Sequence, residues 1–184
     1  MTVLPLFVTP LISVESNLDL SDLEQKCLEF RETHPNEEYS NVGGYQSSDF
    51  THEELDQLIH NNIPIVEGKP IKNLESFYWV NINGPGHCNL RHHHDPHSGM
   101  FLSGVFYVKV PENSGAICFY DPRPHINTAP DMVYYNGGAP AWRFYPKPNT
   151  LILFPSWLEH SVEVNKSSEE RISIAFNLFN LNYS

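Results

Sequence analysis

The sequence predicts a mainly β fold, a sandwich or barrel with helices packed outside it, and three observations carry that expectation. From about residue 75 onward the chain breaks into short runs rich in aromatic and β-branched residues, each bounded by proline, glycine or asparagine. Ahead of them lie two segments whose apolar residues recur every three to four positions behind a Ser/Thr-x-x-Glu signal. The length, 184 residues, suits one domain with a substantial core.

The elements follow in order. In "LSDLEQKCLEFRE", Ser21 and Glu24 stand at capping-box spacing, and Leu20, Leu23, Cys27 and Phe30 or Arg31 make the buried stripe. In "FTHEELDQLIHNN", Thr51 and Glu54 repeat the device ahead of Leu55, Leu58 and Ile59. Both read as packing helices. The runs "SFYWVNIN", "FLSGVFYVKV", "GAICFYD", "DMVYY", "AWRFYP", "TLILF", "HSVEV" and "RISIAFNLF" then supply about seven or eight strands. Residues 121–149, rich in proline and holding the pair Gly137-Gly138, read as a long irregular insertion of the kind that covers binding sites. The expected organisation is one unit over 1–184, with a helical N-terminal part over 1–75 and a β core over 76–184.

Charge narrows the partners. Aspartate and glutamate outnumber lysine and arginine 22 to 11, and no basic block interrupts the chain, which disfavours a surface for long nucleic acid. A small molecule or a peptide is the expected partner. The apolar start "MTVLPLFVTPLISVESN" lacks a positive leader and carries two prolines, so no signal peptide and no membrane span is expected. Cys27, Cys88 and Cys118 are widely spaced, which fits reduced thiols and a cytoplasmic location.

Four of the ten histidines crowd into "RHHHDPHSG", residues 91–99. Solvated surface histidines are the plain alternative. In an extended chain His93 and Asp95 share one side, while His92 and His94 share the other. An imidazole and a carboxylate side by side are two metal ligands, and His160 in "LFPSWLEHSVEV" is the expected third. Two histidines and a carboxylate form the facial triad of non-haem Fe(II); zinc would accept the same groups, although no paired cysteines offer it a fourth ligand. In "ERISIAF", Arg171 and Ser173 lie on one strand face, where a guanidinium fork and a hydroxyl suit a carboxylate. A surface salt bridge from Arg171 to Glu169 or Glu170 is the competing reading.

The segments "HHDPHS", "LSGVFYV", "YDPRP", "LILFPSWLEHSV" and "ERISIAFNL" together resemble a family of small 2-oxoglutarate/Fe(II)-dependent oxygenases, over roughly residues 76 to 180. That resemblance implies a double-stranded β-helix (jelly roll), with Fe(II), 2-oxoglutarate and O2 as cofactors and succinate and CO2 as products. It implies the metal ligands His93, Asp95 and His160, with Arg171 and Ser173 on the distal carboxylate of 2-oxoglutarate. Members commonly carry histidine where this chain has Asp95. That departure returns to the broader superfamily's aspartate and favours iron; two extra residues in "HSGMFLSG" before the strand make His92-x-His94 and Asp95-x-His97 competing registers, and His93 with Asp95 is preferred because it keeps Pro96 and Ser98 in the motif. By the same resemblance Tyr107 would reach the distal carboxylate and Asn83 the metal-proximal end of the cosubstrate; a core aromatic and a turn former are their alternatives. Pocket walls are expected from Phe77 to Trp79, from Trp142 and Phe144, and from the loop around Arg123 and His125. Hydroxylation, of proline in a peptide or of a small molecule, is the implied reaction. A cupin-like metal enzyme without 2-oxoglutarate and a non-catalytic β-sandwich module are the rivals.

Overall fold

The computed structural model describes residues 8–64, 71, 73–95, 99–123 and 141–180. The expected strand at "DMVYY", the pair Gly137-Gly138, Pro96, His97, Ser98 and His125 lie outside the described residues. In chain order the elements are β1 (Ile12–Glu15), α1 (Leu20–Thr33), β2 (Asn41–Val42), β3 (Tyr45–Gln46), α2 (Glu53–Asn61), β4 (Leu74–Asn83), β5 (Cys88–His92), β6 (Met100–Lys109), β7 (Ile117–Tyr120), β8 (Ala141–Phe144), β9 (Thr150–Pro155), β10 (His160–Val162) and β11 (Arg171–Asn180).

Two antiparallel sheets result, in the orders β1-β9-β6-β11-β4-β3 and β2-β5-β10-β7-β8. This is the double-stranded β-helix, mainly β with both helices outside. The period of two along β4 and β11 decides which residue meets which layer. Tyr78, Val80 and Ile82, with Ile172, Ile174, Phe176 and Leu178, face the helices and pack against Leu23, Cys27, Leu55 and Ile59. Their neighbours Trp79 and Ala175 turn inward between the sheets, beside Val105, Tyr107, Ile152 and Phe154. Each fully buried aliphatic or aromatic side chain contributes about 1.5–3 kcal/mol. Gly104 sits where β6 passes the Phe176 ring and the Ile152 carbonyl, and a Cβ there would overlap both.

Both helices form where expected, but each is capped differently. The side chain of Asp19 accepts from the amides of Ser21 (2.9 Å) and Asp22 (3.4 Å), so the cap lies two residues before Ser21. At α2 the imidazole Nδ1 of His52 accepts from Leu55 N at 3.3 Å, in place of Thr51. In both cases a stronger or better placed acceptor adjoins the Ser/Thr-x-x-Glu pattern. Strands β1, β2, β3 and β5 were not anticipated. Across Gly43, which has φ +76°, the chain passes from β2 in the smaller sheet to β3 in the larger one. That left-handed backbone, with the His87 ring packed against Gly43, requires glycine.

Candidate active site

The smaller sheet positions the histidines. His160 opens β10 and is paired in register with His92 at the end of β5 and with Phe119 of β7. The preceding Pro155–Leu158 turn is closed by Leu158 N donating to Pro155 O at 3.0 Å. Ser156, fully buried within it, donates its hydroxyl to Met100 O (3.0 Å) and accepts the amide of His94 (3.0 Å) on its own carbonyl. One turn thus fixes both His160 and the irregular segment after β5.

His92, His94 and His160 come together, each offering a ring nitrogen within 4.8 Å of the others'. His93 and Asp95 are exposed and stand outside this group, so the geometry gathers the competing register His92-x-His94 instead of the preferred one. The reason is phase. Strand β5 places His92 across from His160, and the period of two then brings His94 to that same side and turns His93 and Asp95 away.

The environment prepares these imidazoles as ligands. The Nδ1 atoms of His92 and His160 lie 2.7 Å from Leu90 O and 2.9 Å from Leu158 O, so each carries its proton there and leaves Nε2 with a free lone pair. Burial lowers the pKa of His94 to about 4 and that of His160 to about 3, with the neighbouring imidazoles adding to the effect. His92 is lowered as well, again chiefly by burial. All three are neutral at pH 7, the state a metal requires. The donor set therefore fits Fe(II), with three neutral ligands in place of two and a carboxylate.

The larger sheet supplies the opposite wall. Register pairs Phe77 with Asn177 and Ser103, Trp79 with Ala175 and Val105, Asn81 with Ser173 and Tyr107, and Asn83 with Arg171. The first two rows meet the histidines: the Trp79 ring lies 5.8 Å from that of His94, and Phe154 lies 4.9 Å from His160. Arg171 is four residues further along β11 from Ala175, at the other end of the same cavity of about 560 Å³. Asn83 is at that end too, and not beside the histidines. Its amide nitrogen is given to Asn89 Oδ1 at 2.8 Å.

Arg171 is 2% exposed. Its Nη1 reaches Gly115 O at 3.4 Å and its guanidinium carbon lies 5.3 Å from the Tyr107 ring centre, while its Nε and the Tyr107 hydroxyl have no hydrogen-bond partner. The salt-bridge alternative fails, because Glu170 pairs with Arg31 (2.8 Å) and Glu169 with Lys109 (3.7 Å). A buried cation beside an unpartnered phenol asks for an anion. Burial pushes the Tyr107 phenol up to about 12 against the opposing pull of Arg171, so it stays a donor. Of the other expected wall residues, Phe77 and Trp79 line the cavity; Trp142 is exposed, Phe144 packs on the inter-sheet core, and Arg123 pairs with Asp121. Sequence reasoning missed Gln46 and Asn177, which also line the cavity and are nearly buried.

The family model described as "Putative 2OG-Fe(II) oxygenase" matches residues 77–177. The chain belongs to the 2OG-Fe(II) oxygenase family. It is an Fe(II)- and 2-oxoglutarate-dependent enzyme by that membership. Solved structures agree on the fold. The prolyl hydroxylase of Trichoplax adhaerens, in complex with a hypoxia inducible factor peptide, is 16% identical with a TM-score of 0.67 over 94% of this chain and 84% of its own. A Pseudomonas putida prolyl-4-hydroxylase is 15% identical, with a TM-score of 0.65 over 94% and 93%. HygX from Streptomyces hygroscopicus, with nickel and 2-oxoglutarate bound, is 10% identical, with a TM-score of 0.64 over 94% and 84%. No curated protein matches the chain by sequence. No helix among the described residues is long and apolar enough to cross a membrane.

Proposed function

We propose that this oxygenase hydroxylates an uncharged group of a peptide or small molecule, with a prolyl residue in a peptide as the first substrate to test. His92, His94 and His160 would hold the iron through their ring nitrogens. Arg171 would grip the distal carboxylate of 2-oxoglutarate through its fork, with Ser173 adding a hydroxyl and Tyr107 a phenol, and Asn83 is the cross-strand neighbour of Arg171 at that end. Bound Fe(II) and 2-oxoglutarate supply activation of O2 coupled to oxidative decarboxylation, yielding succinate and CO2. The protein contributes position and a dry wall: Trp79, Val105, Ile117 and Phe154 exclude water around the reacting face.

The observation that carries this reading is one cavity with a neutral histidine triad at one end and a buried, carboxylate-free arginine at the other. The substrate class follows from the rest of the lining. Among the described lining residues there is no aspartate or glutamate, although the chain carries a net charge of −11. Arg91 at the rim is paired with Glu159 and stacked 4.0 Å over Tyr120. With Arg171 committed to the cosubstrate, what faces the substrate is the amides Gln46, Asn81 and Asn89 and the rings Phe77 and Trp79. Amide partners and an aromatic wall suit an uncharged peptide segment, and the prolyl hydroxylases among the similar structures make proline the natural first trial. Three free cysteines support a reducing compartment, the cytoplasm.

The test is an anaerobic titration of the Fe(II)-loaded protein with 2-oxoglutarate, following the visible metal-to-ligand charge-transfer absorption of the chelate. The expected result is a saturable band that Arg171→Ala weakens and His160→Ala abolishes, followed by succinate release stimulated by prolyl peptides. Metal binding without a band would overturn the cosubstrate site in favour of a cupin-like enzyme.

A further inference from the structure

The three histidines are not held alike. His92 and His160 stand on strands, and each points Nδ1 at the main-chain carbonyl two residues before it. His94 lies beyond the end of β5, and its Nδ1 faces the side-chain nitrogen Nδ2 of Asn177 on β11 at 3.4 Å. Asn177 is 6% exposed, and its Oδ1 accepts from the buried hydroxyl of Ser103, on β6, at 2.7 Å, so the amide would have to be turned to present oxygen to His94.

The direction of that chain matters. An Asn amide can be turned by 180° with almost no change of shape, exchanging its oxygen and nitrogen. With nitrogen toward His94, the amide donates to Nδ1 and the ring proton sits on Nε2, blocking the nitrogen that a metal would take. With oxygen toward His94, Nδ1 carries the proton, Nε2 is bare, and the amide nitrogen donates to Ser103 Oγ. Only the second arrangement matches the two other histidines.

We propose that Asn177, braced by Ser103, is a positioning residue that sets the tautomer and ring orientation of His94. It does from the opposite sheet what Leu90 O and Leu158 O do locally for His92 and His160. Main-chain oxygens are available to a histidine inside a strand; His94 sits where the strand has ended, so a side chain on the facing sheet takes that place. The Trp79 ring packs beside the imidazole, 5.8 Å away and tilted by 57°. This inference rests on His94 being a metal ligand, as proposed above.

The experiment is long-range 1H–15N correlation of the imidazoles in metal-free, 15N-labelled protein at pH 7.5, with Co(II) affinity measured in parallel. In the native protein His92, His94 and His160 are all expected as the Nδ1–H tautomer. Asn177→Ala is expected to shift His94 toward Nε2–H and to weaken Co(II) binding by about 10- to 100-fold. Asn177→Asp keeps an acceptor and is expected to retain both the tautomer and the affinity. An Nε2–H His94 in the native protein overturns the proposal, and that readout stands whether or not either variant folds. Unchanged tautomer and affinity in a folded Asn177→Ala overturn it as well. Absence of Co(II) binding in the native protein would instead remove the ligand reading itself, which separates the two failures.

Discussion

The two faces of the larger sheet are made by the same strands and do opposite work. On the helix side of β4 and β11, Tyr78, Val80, Ile82, Ile172, Ile174 and Phe176 form a dry core against α1 and α2. On the other side, alternate residues of those strands are Phe77, Trp79, Asn81, Asn83, Arg171, Ser173 and Asn177, and they line the cavity. The first face buries apolar surface and, among the described residues, holds none of the buried polar atoms that lack a partner. The second holds a buried guanidinium and an orphan phenol hydroxyl, groups that lower stability until a ligand meets them. The difference teaches that a period of two divides stability from chemistry within single strands, so neighbouring substitutions should have different consequences.

The largest expected effect is on the cavity side. His160→Ala should lose metal binding and all 2-oxoglutarate turnover, a larger loss than any change outside the ligand set, while the protein stays folded by circular dichroism. Phe176→Ala, one strand position from Ala175, should cost about 3–5 kcal/mol in denaturant unfolding. Its remaining folded fraction should bind metal normally, and a loss of metal affinity there would break the division between faces. Arg171→Ala should weaken 2-oxoglutarate by about 30-fold or more, equivalent to about 2 kcal/mol, and Arg171→Lys should not restore the fork.

Acid should act through the cavity face as well. His94 and His160 are held near 4 and 3 in the folded protein, against 6.5 when unfolded. Above pH 6.5 neither state is protonated there, so nothing is lost. Below it the unfolded chain binds protons that the native imidazoles refuse, and metal-free stability should fall by up to about 1.4 kcal/mol per pH unit for each group until the folded pKa is reached. Equilibrium unfolding of the metal-free protein between pH 7.5 and 4.5 checks this, and bound metal should flatten the slope. The smallest effect is the sharpest on register: Asp95→Asn should change metal affinity by no more than about two-fold.

Much of this was legible in the sequence. Among the described residues, the strands from Leu74 onward other than β5 stand where aromatic and β-branched runs announced them, and Arg171, Ser173 and Tyr107 lie on neighbouring strands. The ligand register was not legible, because "CNLRH" is too polar to declare itself as strand β5. Without the position of that strand's end, the alternation in "RHHHD" is visible but its phase is not. The partnership of His94 with Asn177 spans 83 positions and two sheets, and no local pattern encodes it. The helix caps failed for a simpler reason: Asp19 and His52 adjoin the expected signals and offer their acceptors first.

The crossing at Gly43 has a further consequence. Residues Tyr39 to Ser48 contribute Tyr39, Ser40, Gln46, Ser47 and Ser48 to the cavity, and β2 and β3 clasp one sheet to the other beside it. All of them precede residue 77, where the family match begins. The stretch that marks ancestry is therefore smaller than the stretch that lines the cavity. Relatives that share every ligand but differ in this clasp would keep the same oxidant and choose different molecules to spend it on.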